Sequence, residues 1–364
     1  MHELALARLM GVKQSFVKSV EQSRQLECIA QAIKDKDLKA LQQLAQNPGG
    51  YLLDSVRRIV WPILLHTHHG CYVDEKGSEK DLADPIQISK DIDRSLYYYP
   101  KNISPDLKAQ KQKELHGLIV EILWRNPRLK YYQGFHDICS CFLLVLGKKD
   151  AIPAVENVAL FFIRDGMLES FDPISKQLRL MSSIVQYEDN ELTDHLDRCH
   201  IMPYYALSWV LTWFSHNFER FDKVARLFDL FISSSPLMPI YVASSITLLR
   251  RKDFLQADQD LLHSVITHIP QDMDIDKIIE KAVELEKRYP ALELQKRSGL
   301  WLHEESPINT WEKDWEPLEW DSVPDGIQAD LYLSHPIPKE EWEDEMLQKW
   351  MAERQPPLDD DCFF

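Results

Sequence analysis

A carboxylate and a guanidinium stand three residues apart in the segment Ile88-x-x-Asp91-x-x-Arg94. On a helix, positions i and i+3 are neighbours, so Asp91 and Arg94 would share a face. Asp91 could then orient Arg94, or it could pair with a partner molecule. The plainer alternative is that Arg94 is a solvated surface charge, because arginines are mostly exposed.

A carboxamide follows 39 residues further along the chain, in the segment Tyr131-x-Gln133-Gly134. Gly134 has no side chain, which permits a close backbone approach or a special turn directly after Gln133. Each segment is weak evidence when taken singly. A third landmark upstream, Arg57-x-x-x-Trp61 followed by Pro-x-Leu-Leu, makes the combination more specific.

Two other groups of side chains suggest different chemistry. His66, His68 and His69 would suit zinc, but no second ligand cluster has metal spacing, so solvated loop histidines are favoured and no metal site is predicted. His136 and Cys139 stand one turn apart and could form a nucleophile pair. The apolar run around them favours buried structural cysteines instead. The sequence has no P-loop or Rossmann glycine pattern, so we expect the chain to bind no nucleotide by itself.

The elements that must position these motifs are predicted to be helices. Gly is scarce, with 11 in 364 residues, and long stretches are rich in Leu, Ala, Glu, Lys and Gln. This composition favours helix over sheet. Apolar periodicity predicts helical segments at 51–65 (N-capped around 54 or 55), 105–125, 153–168, 174–190, 190–199, 203–219, 222–232, 237–251, 256–267 and 273–287. Residues 88–100 form a short segment that ends at Pro100, and 131–147 is predicted as a buried helix in preference to a strand. With no internal repeat and no alternation of strands and helices, the predicted fold class is all-α.

Changes in composition divide the chain into three parts. The Asn-Pro-Gly-Gly sequence at 47–50 is a strong breaker, which predicts an N-terminal helical extension at 1–49 and a helical domain at 50–290, with the motif-bearing core at 50–247. From 291 to 364 the helical pattern breaks and prolines and tryptophans accumulate. The net charge of the chain is -16. From 300 onwards this tail has 18 acidic and 4 basic residues, so the tail accounts for most of that charge. Neither part offers the basic field that nucleic-acid binding needs.

The tail allows several interpretations. Trp315-Glu316-Pro317-Leu318 resembles a docking motif for autophagy adaptors, although such short patterns often occur by chance. The plainer expectation is that the tryptophans pack against the helical body while the acidic groups stay solvated. A third alternative is that the tail shields a basic groove and restrains activity.

The chain is expected to stay out of membranes and in a reducing compartment. Its six cysteines form no Cys-x-x-Cys pair and no disulfide framework. The N-terminus lacks a secretory signal. One uncharged stretch at 230–249 has the length of a membrane span, but its prolines and serines predict two buried helices joined at Ser-Pro. No transmembrane helix is predicted.

The three landmarks together resemble the signature of the TBC domain family of Rab GTPase-activating proteins. The matching positions are, in chain order, Arg57 and Trp61, then Ile88, Asp91 and Arg94, then Tyr131, Gln133 and Gly134. The resemblance covers roughly 50–290 and includes the later segments 209–214 and 226–241. The phrases RNPRLKYYQGFHDI and PLMPIY are closer still to the subgroup acting on the Rab of endoplasmic-reticulum-to-Golgi traffic.

The resemblance implies an all-α fold that stimulates GTP hydrolysis by a bound Rab-family GTPase. Arg94 would be an arginine finger, because a guanidinium is a permanently cationic planar fork that suits phosphate oxygens. Gln133 would orient the attacking water. The side chains expected to bind or orient around them are Asp91, Tyr131, Gly134, Arg57 and Trp61. Trp61 is expected to pack mainly in the core.

The same resemblance implies what the chain would bind. The partner would be a Rab-family small GTPase, which would hold GTP and Mg²⁺, so the chain would need no cofactor of its own and would have no turnover alone. Membranes would be reached only through the Rab or a weak peripheral contact, which implies a cytoplasmic protein at endoplasmic reticulum or Golgi membranes. One alternative is a catalytically idle TBC scaffold, which would need neither Arg94 nor Gln133. Another is a helical hydrolase that uses His136 and a cysteine.

Overall fold

A computed structural model describes residues 20–70, 85–98, 100–101, 103–257 and 259–333, and within these ranges the regular structure is helical and contains no strand. The α-helices are α1 Val20–Lys34, α2 Leu38–Gln46, α3 Asp54–Leu64, α4 Pro85–Asp93, α5 Pro105–Arg125, α6 Phe135–Leu146, α7 Lys148–Phe161, α8 Asp172–Glu188, α9 Asn190–Arg198, α10 Leu207–Leu211, α11 Phe221–Phe231, α12 Met238–Leu249, α13 Arg251–Gln256, α14 Gln259–Thr267, α15 Ile275–Arg288, α16 Ala291–Ser298, α17 Pro307–Asp314 and α18 Gly326–Tyr332. Two 3-10 turns, Arg164–Met167 and Pro203–Ala206, interrupt the series. The predicted fold class, all-α, is confirmed.

Helix α5 shows how local sequence sets an element. The Ser104 hydroxyl accepts a hydrogen bond from the Leu107 backbone N–H, and Pro105 occupies the first turn, where its missing N–H removes no helical bond. The positive charge of Arg125, in the last turn, interacts favourably with the negative end of the helix dipole. The predicted helix 105–125 is therefore confirmed at both ends.

Helix α3 is shorter than the predicted segment 51–65. Its N-cap residue is Leu53, which makes no side-chain capping bond, whereas Asp54 lies in the first turn. The predicted cap at 54 or 55 is thus wrong, because Asp54 instead accepts a hydrogen bond from Arg57.

The centre of the fold is α12, whose residues 238–247 are all buried. It packs against α8 on one side and α15 on another. Its serine hydroxyls bond to backbone carbonyls one turn earlier, Ser244 to Ile240 and Ser245 to Tyr241, so they are satisfied without water. The predicted pair of buried helices at 230–249 is confirmed, and no described helix is long and apolar enough to cross a membrane.

The predicted helix 203–219 is wrong over most of its length. Only Leu207–Leu211 is α-helical, and Trp213 and Phe214 take left-handed backbone conformations with φ of 49° and 64°. Both side chains are buried, and Trp213 packs edge-on against Phe228 of α11. Tertiary packing of two large aromatic rings therefore overrides the local helical preference here.

The described part of the tail also differs from its prediction. Helices α16, α17 and α18 continue the pattern past residue 291, and one hydrophobic core includes residues from Leu26 to Ala329. Trp315 and Trp320 are buried, as the plainer expectation had it. Trp315 packs against Phe161 and Phe162 of α7. These contacts come from single large side chains rather than from a helical stripe, so periodicity does not reveal them.

The burial of Trp315 bears on the adaptor-docking interpretation of 315–318. Only about 2% of its surface is exposed. The motif therefore lacks an accessible aromatic anchor in this structure. Residues 334–364, with the remaining acidic groups and Trp342 and Trp350, lie outside the described residues, as do residues 1–19 of the predicted extension.

Candidate functional site

Arg94 and Gln133 line the same open groove, of about 450 Å³. Both side chains are exposed, and 56% of the Arg94 side chain is open to solvent. The groove is formed by three stretches of chain: the end of α4 with the residues after it, the first turns of α6, and α10 with the residues after it. The lining residues are Arg94, Ser95, Leu96, Tyr97, Tyr98, Gln133, Gly134, His136, Asp137, Ser140, Leu207, Ser208, Leu211, Thr212, Ser215 and His216.

The end of α4 is anchored so that Arg94 projects from it. Ile88 and Ile92 are buried on the inner side of the helix. The Gln112 side chain of α5 donates to the backbone carbonyls of Ile92 and Asp93, at 2.9 and 3.1 Å. These bonds occupy carbonyls that a helix end leaves without a partner, and they tie the backbone just before Arg94 to α5.

Asp91 is fully buried and serves as the acceptor for three donors. The guanidinium of Arg94 and the Gln87 amide donate to its Oδ1, and the Tyr131 hydroxyl donates to its Oδ2 at 2.7 Å. The prediction that Asp91 and Arg94 face each other is therefore confirmed geometrically. Because the carboxylate has a fixed position, it restrains the root of an otherwise flexible arginine.

Tyr131 connects this carboxylate to α6. Its hydroxyl lies 3.3 Å from His136 Nδ1, and His136 Nε2 lies 3.4 Å from Asp137 Oδ1. Burial raises the pKa of Tyr131, and the hydrogen bond to Asp91 raises it further, so the phenol stays protonated and donates. The chain of contacts fixes Tyr131, two residues before Gln133.

The two histidines of the groove differ in charge preference. Burial lowers the pKa of His136. A hydrogen bond to Asp137, across 3.2 Å, raises the pKa of His216. His216 therefore stays protonated up to a higher pH than an ordinary histidine, and it adds a second positive charge to the groove beside that of Arg94.

Gln133 is held between two fixed neighbours. The Tyr132 hydroxyl donates to the Leu211 carbonyl at 2.8 Å. Gly134 forms the N-cap of α6 with a φ of 116°, a conformation that L side chains rarely adopt. The sequence prediction of a special turn at Gly134 is confirmed, and this turn directs Gln133 outward at the start of α6.

Gly134→Ala should lower the free energy of unfolding by more than the roughly 1–3 kcal/mol of a strained backbone conformation. The added Cβ would lie 2.9 Å from Thr212 Cγ2, which is too close for either group to keep its place. Equilibrium unfolding in urea measures the loss.

Two controls separate the strain from the overlap. Gly299→Ala tests positive φ alone, since no atom lies within 4 Å of its added Cβ. Adding Thr212→Ser to Gly134→Ala removes the colliding methyl group and should restore part of the stability. A Gly134→Ala protein as stable as wild type would contradict the argument.

Arg57 and Trp61 do not line the groove, so their predicted role in binding or orienting at the site stays a prediction. Both lie in the core and bond to Asp229 of α11, which the sequence analysis did not single out. Asp229 Oδ1 accepts from Trp61 Nε1 at 2.8 Å and from Arg57 Nε at 2.9 Å. Oδ2 accepts from Arg57 Nη2 at 2.9 Å and from the Tyr51 N–H at 3.2 Å. This landmark therefore joins α3 to α11.

Sequence reasoning also missed part of the groove wall. Tyr97, with 80% of its surface exposed, and Tyr98 stand beside Arg94 and pack edge-on against each other. The signal that was available is the run of three tyrosines at 97–99, which is unusual in an exposed segment. Thr212 and His216 gave no such signal, because they lie within the segment 203–219 that was predicted as a continuous helix.

The hydrolase alternative has little support in the structure. Cys139 is fully buried, and burial raises the pKa of its thiol well above the ordinary value. Each ring nitrogen of His136 already faces another group, Tyr131 or Asp137. A thiolate nucleophile is therefore disfavoured at this position.

Comparison with known proteins places these residues in a wider context. A family model described as the Rab-GTPase-TBC domain matches residues 54–255. The TBC1 domain family member 20 of Bos taurus is 35% identical over 295 residues, which cover 80% of this chain and 73% of that protein. The GTPase-activating protein gyp10 of Schizosaccharomyces pombe is 30% identical over 304 residues, which cover 81% and 80%.

A solved structure shares the fold at low sequence identity. The Chlamydomonas flagellar RabGAP TBC domain superposes with a TM-score of 0.54 at 16% identity, over 77% of this chain and 94% of that one. At this identity the likeness concerns the fold alone.

Proposed function

This chain belongs to the Rab-GTPase-TBC domain family, and from that premise we propose that it activates a Rab-family GTPase by supplying Arg94 and Gln133 in trans. One observation supports the proposal above the rest. Two exposed side chains that are 39 residues apart in the sequence, a guanidinium and a carboxamide, line one groove that is open to a partner.

Arg94 is suited to the charge that develops in phosphoryl transfer. The partner GTPase would hold GTP and Mg²⁺, and negative charge would accumulate on phosphate oxygens during hydrolysis. The guanidinium of Arg94 presents several N–H donors in one plane. One N–H group can stay on the buried Asp91 while others reach a phosphate oxygen, so the carboxylate keeps its partner when the GTPase binds.

Gln133 is suited to a water molecule. Its carboxamide offers an acceptor oxygen and two N–H donors at one position. The oxygen can accept a hydrogen bond from the attacking water, while the N–H group donates a hydrogen bond to the partner's backbone or phosphate. Because Gly134 and Tyr132 fix the backbone on both sides of Gln133, this residue loses less conformational freedom when the complex forms.

Gln133→Ala is expected to lower the GTPase-stimulating activity at least ~100-fold, at the lower end of the roughly 10²–10³-fold that removing one positioned polar group costs in rate. Gln133→Glu should be equally inactive, because a carboxylate of similar shape has no N–H donor and repels phosphate. Single-turnover hydrolysis of GTP bound to the Rab measures both.

The matched control is Gln110→Ala, an exposed glutamine of α5 outside the groove. It should keep wild-type activity. Rates for Gln133→Ala within tenfold of wild type would refute the role given to this residue, provided that both proteins unfold at the same denaturant concentration.

The trafficking step is a finer part of the proposal. The substrate is then a Rab of endoplasmic-reticulum-to-Golgi transport, and the chain works at those membranes, as the resemblance of RNPRLKYYQGFHDI and PLMPIY to that subgroup implies. A panel of GTP-loaded Rabs assayed with the purified chain tests it. Strongest stimulation of a Rab from another pathway would overturn this part and leave the activation chemistry standing.

The competing function is a TBC scaffold that binds a Rab without stimulating it. A transition-state trap separates the two. If the chain supplies catalytic groups, it should bind the Rab far more tightly with GDP and aluminium fluoride than with GDP alone, because catalytic groups favour the transition state over the ground state. Equal affinities for the two nucleotide states would favour the scaffold.

A further inference from the structure

A second cluster of metal-ligating side chains lies away from the groove, where the tail meets the end of α3. His68 and His69 follow that helix directly, and Asp321 comes from the tail 252 residues later in the sequence. One ligand atom from each of the three lies within 4.8 Å of the other two. No further ligand stands near these histidines in the sequence, so no zinc site was predicted there. The fold brings a third ligand, Asp321, to them.

The imidazole of His68 adds an independent observation. Both of its ring nitrogens are buried, and neither makes a hydrogen bond of normal geometry within the described part of the chain. Its ring lies 3.9 Å from that of His69, centroid to centroid, and packs edge-on against Trp320. Buried polar nitrogens without partners call for a water or an ion, because such groups are normally satisfied.

We propose that His68, His69 and Asp321 form a binding site for a divalent transition-metal ion, with Zn²⁺ as its best occupant. Imidazole nitrogens and a carboxylate oxygen are the ligands that Zn²⁺ accepts in proteins, and three protein ligands with water in the fourth position are a known arrangement. No cysteine of the described residues belongs to the cluster, so a thiolate-selected ion such as Cu(I) does not fit.

The site needs only small movements to close. Ligand atoms around a tetrahedral zinc ion lie about 3.3 Å apart when the bonds are near 2.0 Å. His69 and Asp321 are exposed, so their side chains can rotate towards His68 without disturbing the core.

One charge in the structure opposes the ion. Lys36, after α1, contacts Asp321 Oδ2 at 2.7 Å. The ammonium group therefore holds the carboxylate in the absence of metal and would be displaced or shared when a metal binds. In either state, Asp321 ties the tail to the body next to the buried Trp320.

Titration of the full chain, first stripped with a chelator, with Zn²⁺ alone tests the proposal. Isothermal titration calorimetry should show one ion per chain. His68→Ala, His69→Ala and Asp321→Asn should each weaken this binding at least 10-fold, because losing even a group that only supports a metal ligand typically costs about 10–100-fold in affinity. His263→Ala, an exposed histidine elsewhere, should leave it unchanged.

Lys36→Met should tighten Zn²⁺ binding, because it releases Asp321. A substitution that merely weakens folding would not increase the affinity for Zn²⁺. A second readout is protease cleavage near 320, which Zn²⁺ should slow in wild type and not in His68→Ala. Absence of Zn²⁺ binding by wild type, or equal binding by all variants, would overturn the proposal. None of these residues lines the groove, so either result leaves the GTPase-activating proposal unaffected.

Discussion

Arg94→Ala is expected to reduce Rab-stimulated GTP hydrolysis at least ~100-fold, because an arginine supplied in trans contributes about 10³–10⁵ in rate. At about 1.4 kcal/mol per decade, this range corresponds to roughly 4–7 kcal/mol of transition-state stabilisation. The loss should appear in the single-turnover rate constant measured with excess chain over GTP-loaded Rab.

Arg94→Lys should lose most of the activity as well, although it retains the charge. A lysine ammonium is a compact point charge and cannot place two parallel N–H donors on phosphate oxygens. It would still pair with Asp91, so the fold around α4 should stay intact. The comparison of Ala with Lys therefore separates the need for charge from the need for a planar fork.

The matched control is Arg198→Ala, which removes an exposed arginine of α9 outside the groove. It should stimulate hydrolysis like wild type. Because Arg94 pairs with the fully buried Asp91, its removal should lower the denaturant midpoint of unfolding, although Gln87 and Tyr131 still donate to that carboxylate. Stimulation by Arg94→Ala within tenfold of wild type, in a protein that still unfolds cooperatively, would refute the finger assignment.

The groove could be predicted in part, because two of its residues are polar where a buried helix would need apolar ones. Asp91 and Arg94 are close in sequence, and their pairing follows from helix geometry alone. The connection of this pair to Tyr131 runs across 40 residues and two helices. A contact of this kind depends on how α4 packs against α6, and periodicity within one helix contains no information on that packing.

The element boundaries show the same division between local and tertiary causes. Helix 105–125 is predicted well because its start and stop depend on Ser104, Pro105 and Asn126, which act within a single turn. The segment 203–219 is predicted badly because Trp213 and Phe214 leave the helical conformation to reach rings on another helix. The burial of Trp315 follows the plainer expectation for the tail, but its contact with α7 is tertiary, so periodicity does not locate it.

Asp229 illustrates the limit most sharply. It stands in the apolar run of α11, and nothing in its neighbours indicates that it is the common acceptor for Arg57, Trp61 and the Tyr51 backbone. Arg57 and Trp61 are recognisable as a landmark of the family, and their spacing suggests a site. Their structural meaning becomes clear only with the buried carboxylate that they share, which places them in the core contact between α3 and α11.

Asp229→Ala is expected to lower the free energy of unfolding by about 3–5 kcal/mol, because removing one member of a buried ion pair leaves the other charge uncompensated. Arg57 is almost fully buried, and without Asp229 its remaining hydrogen bond among the described residues goes to Asp54. Trp61 Nε1 and the Tyr51 N–H would also lose their acceptor. Since domains are stable by only about 5–15 kcal/mol, the change should be plain in urea unfolding followed by tryptophan fluorescence.

Two further variants keep this prediction testable if Asp229→Ala fails to fold. Asp222→Ala removes an exposed aspartate of the same helix, paired with Arg220 at the surface, and should cost less than about 1 kcal/mol. The double variant Arg57→Met with Asp229→Leu removes both buried charges at similar volume, so it should be more stable than Asp229→Ala despite carrying two substitutions. A double variant less stable than Asp229→Ala would show that the ion pair is not what makes the single substitution costly, because the missing acceptor for Trp61 and Tyr51 would then dominate.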